Sequence, residues 1–219
     1  MLLIVVDYGV GNLRSIAKSI EKANSENNLN YSVKISSDIN EIKKADKLVL
    51  PGQGSFKACR EGIKNINGLN EELNESVMKK KKPIYGICAG MQLFGTTGYE
   101  DEETIGLDWI AGDIVKINPS SANLKIPHMG WNELNIKHPS KVFENIKDKS
   151  HAYFIHSYEF LPKDKKVISL STNYGKEIVA AVCCENIYGS QFHPEKSQET
   201  GIKILTSFLK IWKFYQQLI

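Results

Sequence analysis

Residues 2–7, LLIVVD, form an unbroken apolar run that stops at an acidic residue. A strand with one wet face alternates apolar and polar residues. A continuous run asks for cover on both faces, the situation of a central strand in a parallel sheet. The residues that follow can supply one cover, because Leu13, Ile16, Ala17 and Ile20 recur at helical spacing and share a face. The pattern then repeats. YSVKIS (31–36) and KLVLPG (47–52) read as strands, the second stopped by Pro-Gly. Helical segments fill about 56–81, and PIYGI (83–87) is a strand leading into a helix over 89–96. This alternation predicts an α/β fold with a mostly parallel central sheet flanked by helices on both sides.

The second half changes character. GDIVKI, GWNEL, AYFIHSY, VISLST, IVAAVCC and IYGSQFH are short strands separated by turn residues, expected to extend the same sheet in antiparallel fashion. A last amphipathic helix is expected over 198–216, with Ile202, Leu205, Phe208, Leu209 and Trp212 on one face. NSENNLN (24–30) is polar and aperiodic and reads as a surface loop. Neither a repeat nor a long linker divides the chain, so a single domain over 1–219 is expected, and 219 residues suffice for a sizeable core.

Several function classes drop out. A net charge of +3 is small for this size, and nucleic-acid binding needs a concentrated basic stripe. The one basic run, KKKK at 79–82, precedes Pro83 and reads as a solvated helix end, where lysines oppose the dipole. No apolar stretch approaches the ~20 residues of a membrane span, and MLLIVVDYG lacks the parts of a signal peptide. Cys59, Cys88, Cys183 and Cys184 include no C-x-x-C pair, which fits a reducing cytoplasm. Adjacent Cys183 and Cys184 point to opposite faces of a strand and read as buried, inert thiols. GVGN (9–12) lacks the third glycine of a dinucleotide fingerprint, because position 14 is arginine. The five histidines show no zinc spacing, so neither metal nor cofactor is expected.

One motif carries chemistry. In GICAGMQ (86–92) a thiol stands between glycines where a strand turns into a helix. That is the arrangement of a nucleophile elbow, with Cys88 exposed on a strained turn. Gly86 and Gly90 are expected to allow close approach and unusual backbone angles. The helix start behind Cys88 favours thiolate, and the Ala89 amide is placed to stabilise an oxyanion. A thiol nucleophile needs a base, and the base an orienter. QFHPEKS (191–197) offers both, because Pro194 keeps His193 extended, so that Glu195, two residues on, can hold the imidazole. A second oxyanion donor is expected from PGQGSF (51–56), where Gly52 and Gly54 bracket Gln53.

With Cys88 in GICAGMQ and His193 and Glu195 in QFHPE, the chain resembles the class I (triad) glutamine amidotransferases. PGQGSF, IPHMGWNEL and YFIHSY extend the resemblance to the glutaminase subunits of imidazole glycerol phosphate synthases, from the first strand to about residue 212. The anthranilate-synthase type carries PGPG and a histidine before the glutamine of the elbow helix; this chain has PGQG and Met91-Gln92. The resemblance implies that Cys88 attacks the side-chain amide of glutamine while His193, oriented by Glu195, moves the protons. It implies glutamine binding by Gln92 and Glu100, assisted by the backbone near Ser157 and Tyr158, with EDEE (100–103) offering rival carboxylates. It implies a heterodimer with a (β/α)8-barrel cyclase that receives ammonia through a tunnel and makes imidazole glycerol phosphate and aminoimidazole carboxamide ribotide. Asn12, Met129, Trp131, Tyr153 and Lys196 would lie at or near that interface. Two positions depart from the family pattern: Ala89 stands where leucine is usual, and Gln53 where PGVG has valine. Both act mainly through backbone amides.

The length supports a partner, since one glutaminase domain leaves nothing to consume the ammonia. The glycines beside Gln53 also suggest a gate, with the oxyanion hole incomplete until the partner and its ligand bind. Three other readings share the scaffold. A paralogous glutaminase feeding a sugar-amidating synthase would use the same triad, a regulatory subunit would have no need of it, and PHMGWN disfavours a stand-alone peptidase.

Overall fold

The computed structural model describes residues 1–119 and 124–211. The apolar run forms β1 (Leu2–Val6), and α1 (Leu13–Glu26), β2 (Ser32–Ser36), α2 (Ile39–Lys44) and β3 (Lys47–Leu50) follow in alternation. Then come α3 (Phe56–Asn65), α4 (Leu69–Asn74) with a π-helical turn over Glu75–Lys79, β4 (Ile84–Ile87) and α5 (Ala89–Gln92). The remainder is β5 (Thr97–Glu100), β6 (Glu102–Ile105), β7 (Gly112–Lys116), β8 (His128–Glu133), β9 (Asn135–Ile136), β10 (His151–His156), β11 (Tyr158–Pro162), β12 (Ile168–Asn173), β13 (Glu177–Cys184), β14 (Ile187–Ser190) and α6 (Gln198–Lys210).

Eight strands make the main sheet, in the order β2-β1-β3-β4-β14-β13-β12-β9. The first five are mutually parallel and the last three antiparallel. Alternate residues of β1 serve two cores. Leu3 and Val5 pack with Ile16 and Ile20 of α1 and with Leu205 and Phe208 of α6. Ile4 and Val6 pack with Ile42 of α2, Ile63 of α3 and Leu73 of α4. The continuous apolar run is thus covered on both sides, as its composition requires.

The second half departs from a simple extension of that sheet. β14 is parallel to β4, so IYGSQFH completes the parallel core. Among the described residues, β8 and β10 pair only with each other, and β11-β7-β5-β6 form a separate four-stranded sheet. Alternation within a strand reports which residues share a face, but not which edge the strand joins.

Local boundaries shift for tertiary reasons. The elbow helix ends at Gln92 instead of running to 96, because Thr96 N donates to Gly112 O at 2.7 Å and the chain joins the sheet of β7. Residues 24–26 belong to α1, where Asn24 exchanges two 3.1 Å hydrogen bonds with the Tyr31 backbone and so orders a segment that reads as a loop. In the basic run Lys79, Lys80 and Lys81 meet Glu75 or Glu185 at the surface, whereas Lys82 is buried and donates to Lys43 O at 2.7 Å. Cys183 and Cys184 do pack toward opposite cores, but are half-buried rather than buried. The final helix is described to Lys210, and Trp212 lies outside the described residues.

Candidate active site

The parallel strands deliver the reacting groups to one end of the sheet. β4 ends at Ile87, and Cys88 takes φ 54° and ψ −115° before α5 begins. A positive φ is uncommon for a residue with a Cβ and clusters at functional sites. The flanking glycines do something other than expected, since neither has a positive φ and the strained angle belongs to Cys88 itself. Their role is close approach. A Cβ on Gly90 would lie 2.0 Å from Leu50 O, and one on Gly86 2.6 Å from the Phe94 ring. Gly52 faces the same constraint, 2.0 Å from Gly90 N. The end of β3 and the start of α5 are therefore packed backbone to backbone, with the Ala89 side chain buried behind them. As the first residue of the helix, Ala89 has an N–H without an intrahelical acceptor, at the position an oxyanion donor needs.

β14 runs beside β4 and carries the chain to His193. The backbone there is pinned twice, His193 N donating to Tyr153 O at 3.0 Å and Ser197 Oγ to His193 O at 2.7 Å. His193 is extended, but Pro194–Lys196 form a single 3₁₀ turn, so the segment is not extended throughout. The turn brings Glu195 Oε1 to 2.8 Å from His193 Nδ1, both side chains being buried. Nε2 is left for Cys88. Burial opposes charge on this imidazole, but hydrogen bonds and charge interactions with Cys88 and Glu195 outweigh it and raise its pKa to about 10. A buried imidazole raised this far by its neighbours, at the edge of a cavity, is the electrostatic mark of a catalytic site.

That cavity measures about 300 Å³ and opens over Cys88 and His193. It is lined by Gly52, Gln53 and Ala89 on one side and by Gln92, Glu100, Ser157 and Tyr158 on another. The structure therefore brings every expected catalytic, oxyanion and substrate residue to one place. Glu100 is the only carboxylate of the 100–103 run along this wall; its Oε2 accepts from Phe56 N at 2.7 Å, while Glu102 pairs with Lys57 at the surface. Gln92 Nε2 donates to Tyr158 O at 3.0 Å and to Gln191 Oε1 at 2.8 Å. Beneath the Gly52 turn, burial pushes the Cys59 thiol up to about 11, with the Tyr8 hydroxyl and the Gln53 backbone pulling the other way. The Tyr8 hydroxyl donates to Pro51 O from the same side.

Sequence reasoning passed over Gln191. Its Nε2 lies 3.5 Å from Cys88 Sγ and its Oε1 holds Gln92, so it braces both. Its place two residues before His193 was the available signal. The residues expected at a partner surface divide. Met129 and Trp131 share a face of β8 and are 58% and 48% exposed, large values for side chains of this kind. Trp131 meets Tyr153 edge-on, at 6.0 Å between ring centroids, and Lys196 Nζ sits 5.7 Å from the Tyr153 ring. Lys196 also lines the cavity. Asn12 is the N-cap of α1, on the separate turn after β1.

A glycine-packed elbow, a Cys-His-Glu line and an α/β sheet define a cysteine-dependent amidotransferase site. Residues 4–212 match the class-I glutamine amidotransferase family model, and the chain belongs to that family. Among curated relatives, it is 50% identical to the imidazole glycerol phosphate synthase subunit HisH of Pelagibacter ubique (strain HTCC1062), over 96% of this chain and 100% of the relative. The HisH subunit of Brucella suis biovar 1 (strain 1330) is 44% identical over 97% and 100% of the two chains. The fold agrees with a crystal structure described as glutamine amidotransferase (TM-score 0.70, 15% identity, 95% and 99% covered) and with PurLQS from Thermotoga maritima (TM-score 0.70, 20% identity, 95% and 97% covered).

Proposed function

We propose that this chain is the glutaminase subunit of an imidazole glycerol phosphate synthase, working in histidine biosynthesis. The observation that carries the chemistry is the Cys88–His193–Glu195 line, with the Glu195 carboxylate 2.8 Å from His193 Nδ1. His193 Nε2 already holds the proton taken from the thiol, as its raised pKa requires, and Cys88 Sγ attacks the side-chain carbonyl carbon of glutamine as the thiolate. The tetrahedral oxyanion is held by the Ala89 N–H and a donor from the Gly52–Gln53 turn. Collapse breaks the C–N bond, and His193 gives its proton to the departing nitrogen, releasing ammonia. Water then attacks the thioester, His193 accepts a proton from it, and the proton returns to sulfur as glutamate leaves. Gln92, Glu100 and the Ser157–Tyr158 backbone hold the amino-acid end of the substrate.

Ammonia needs an acceptor, which we assign to a (β/α)8-barrel cyclase docked on the exposed face of Met129 and Trp131, with Tyr153, Lys196 and Asn12 nearby. The products would be imidazole glycerol phosphate and aminoimidazole carboxamide ribotide. We place the chain in a reducing cytoplasm, where its four free cysteines would stay as thiols. The Gly54 backbone at φ 121° supports the gate, because a glycine beside Gln53 leaves that peptide free to turn. Partner binding would turn it toward Cys88.

The test is ammonia release and imidazole glycerol phosphate formation from glutamine, by the chain alone and with its co-purified cyclase and nucleotide. Turnover is expected to be low alone and to rise in the complex, and Cys88→Ala is expected to remove it by at least about a thousandfold. Full turnover by the isolated chain would sink the gate, and amidation of a sugar instead of the nucleotide would sink the assignment.

A further inference from the structure

His156 lines the cavity but has no part in the steps above. It is paired with a second buried imidazole. The pairing of β8 with β10 sets His128 opposite His156, and His128 Nδ1 lies 3.0 Å from His156 Nε2. Fixed partners at both ends assign the protons. The Tyr158 carbonyl can only accept, so His156 Nδ1, 2.8 Å from it, carries the hydrogen and Nε2 is the acceptor. His128 Nδ1 must then donate, which leaves His128 Nε2 to accept from Asn132 Nδ2 at 3.2 Å. The Asn132 amide cannot be reversed, since Nδ2 also donates to Asn173 O at 2.9 Å and Oδ1 accepts from Glu133 N at 2.8 Å. Hydrogen bonds thus run in one direction, from Asn132 to His128 to His156 to Tyr158.

The surroundings keep both rings neutral. Burial lowers His128 to about 4. It also lowers His156 to about 3, against the pull of the Tyr158 carbonyl and with the help of nearby His128 and His193. His128 is clamped between Phe154 and Tyr174, with ring centroids 4.7 and 4.1 Å away. At the far end, Tyr158 O accepts from Gln92 as well as from His156, so both its lone pairs are occupied.

We propose that Asn132, His128 and His156 are positioning residues, a neutral relay that fixes the Tyr158 carbonyl and, through it, the Gln92 amide and the Ser157–Tyr158 wall of the substrate pocket. The role rests on reading this pocket as a glutamine site. Neither ring is placed to exchange a proton with Cys88, so the relay serves substrate binding. Its loss should raise KM for glutamine and leave kcat nearly intact.

Nitrogen NMR of the ¹⁵N-histidine-labelled full chain tests the assignment without reference to activity. His128 and His156 are both expected as neutral Nδ1–H tautomers between about pH 8 and about pH 5. Asn132→Asp presents only acceptors to His128 Nε2, so the tautomers should invert or His128 should charge. In the same variant, with the cyclase present, KM for glutamine should rise about tenfold while kcat stays within about threefold. His156→Asn, whose amide N–H stands in for Nδ1–H, should restore the KM that His156→Leu loses. An Nε2–H tautomer at either histidine, or an unchanged KM in both Asn132→Asp and His156→Leu, overturns the relay. If His156→Leu does not fold, the wild-type and Asn132→Asp spectra decide. Failure of the wild-type complex to hydrolyse glutamine would instead remove the glutamine-site reading, and the tautomer spectrum would still judge the relay.

Discussion

At Cys88 the backbone is bent to φ 54° so that the thiol leaves the strand and faces a cavity. The strain persists because the surroundings allow little else. Gly86, Gly52 and Gly90 each occupy a place where a Cβ would fall within 2.6 Å of a neighbouring atom. The same crowding sets the electrostatics. His193 is buried, which alone would lower its pKa, yet Cys88 and Glu195 together raise it to about 10. Removing the thiol removes two of the raising influences and leaves the burial. An NMR titration of Cys88→Ala should therefore find His193 well below about 10, and an unchanged value would mean that Glu195 alone holds the proton. The Ala89 side chain is buried where the elbow packs backbone on backbone.

Among the elements, α6 depends on a residue from a different part of the chain. Lys47, the first residue of β3, reaches across the sheet and donates to Phe208 O and to Leu209 O, the latter at 2.8 Å, at the end of the helix. Ile211 N also donates to Phe208 O at 3.3 Å and the Tyr31 hydroxyl to Leu209 O at 2.9 Å, so Lys47 adds a further donor to each carbonyl at the helix end. Lys47→Met keeps the apolar stem but removes one donor from each, and is expected to cost about 1–2 kcal/mol, read as a lower denaturant midpoint at unchanged slope. Burial lowers the Lys47 pKa from the ordinary 10.5 to about 7. In that window the unfolded chain binds a proton that the folded chain does not, so this group makes stability rise with pH. The variant should flatten the rise between about pH 7 and about pH 10.

For the whole molecule, one end of the parallel sheet carries the site and the β8–β10 ribbon beside it carries an exposed aromatic face. Lys196 lines the pocket and sits over the Tyr153 ring of the ribbon, which meets Trp131 edge-on, so whatever docks on Trp131 sits near the mouth of the pocket. Trp131→Ala is expected to weaken the complex with the cyclase by about 2 kcal/mol, roughly thirtyfold in Kd, with little change in the stability of the free chain. Titration calorimetry against the purified cyclase measures this, and an unchanged Kd would move the interface elsewhere.

The apolar run at 2–7, the helical faces and the glycine-flanked thiol are local patterns, and local patterns dictate local geometry. They determined the parallel core, the elbow at Cys88 and the pairing of His193 with Glu195. What they left open depends on which strand edges meet. GWNEL and AYFIHSY alternate like any half-buried strands, and nothing in that alternation says that they pair only with each other. That pairing puts His128 opposite His156, 28 residues away, and β11, in a different sheet, brings Tyr158 to Gln92, 66 residues away. Gln191 likewise reaches Cys88 because β14 lies parallel to β4. The reacting groups were written in short motifs because their roles need fixed local backbone. The groups that brace them come from distant strands, and only the closed sheet arrangement brings them within hydrogen-bond reach.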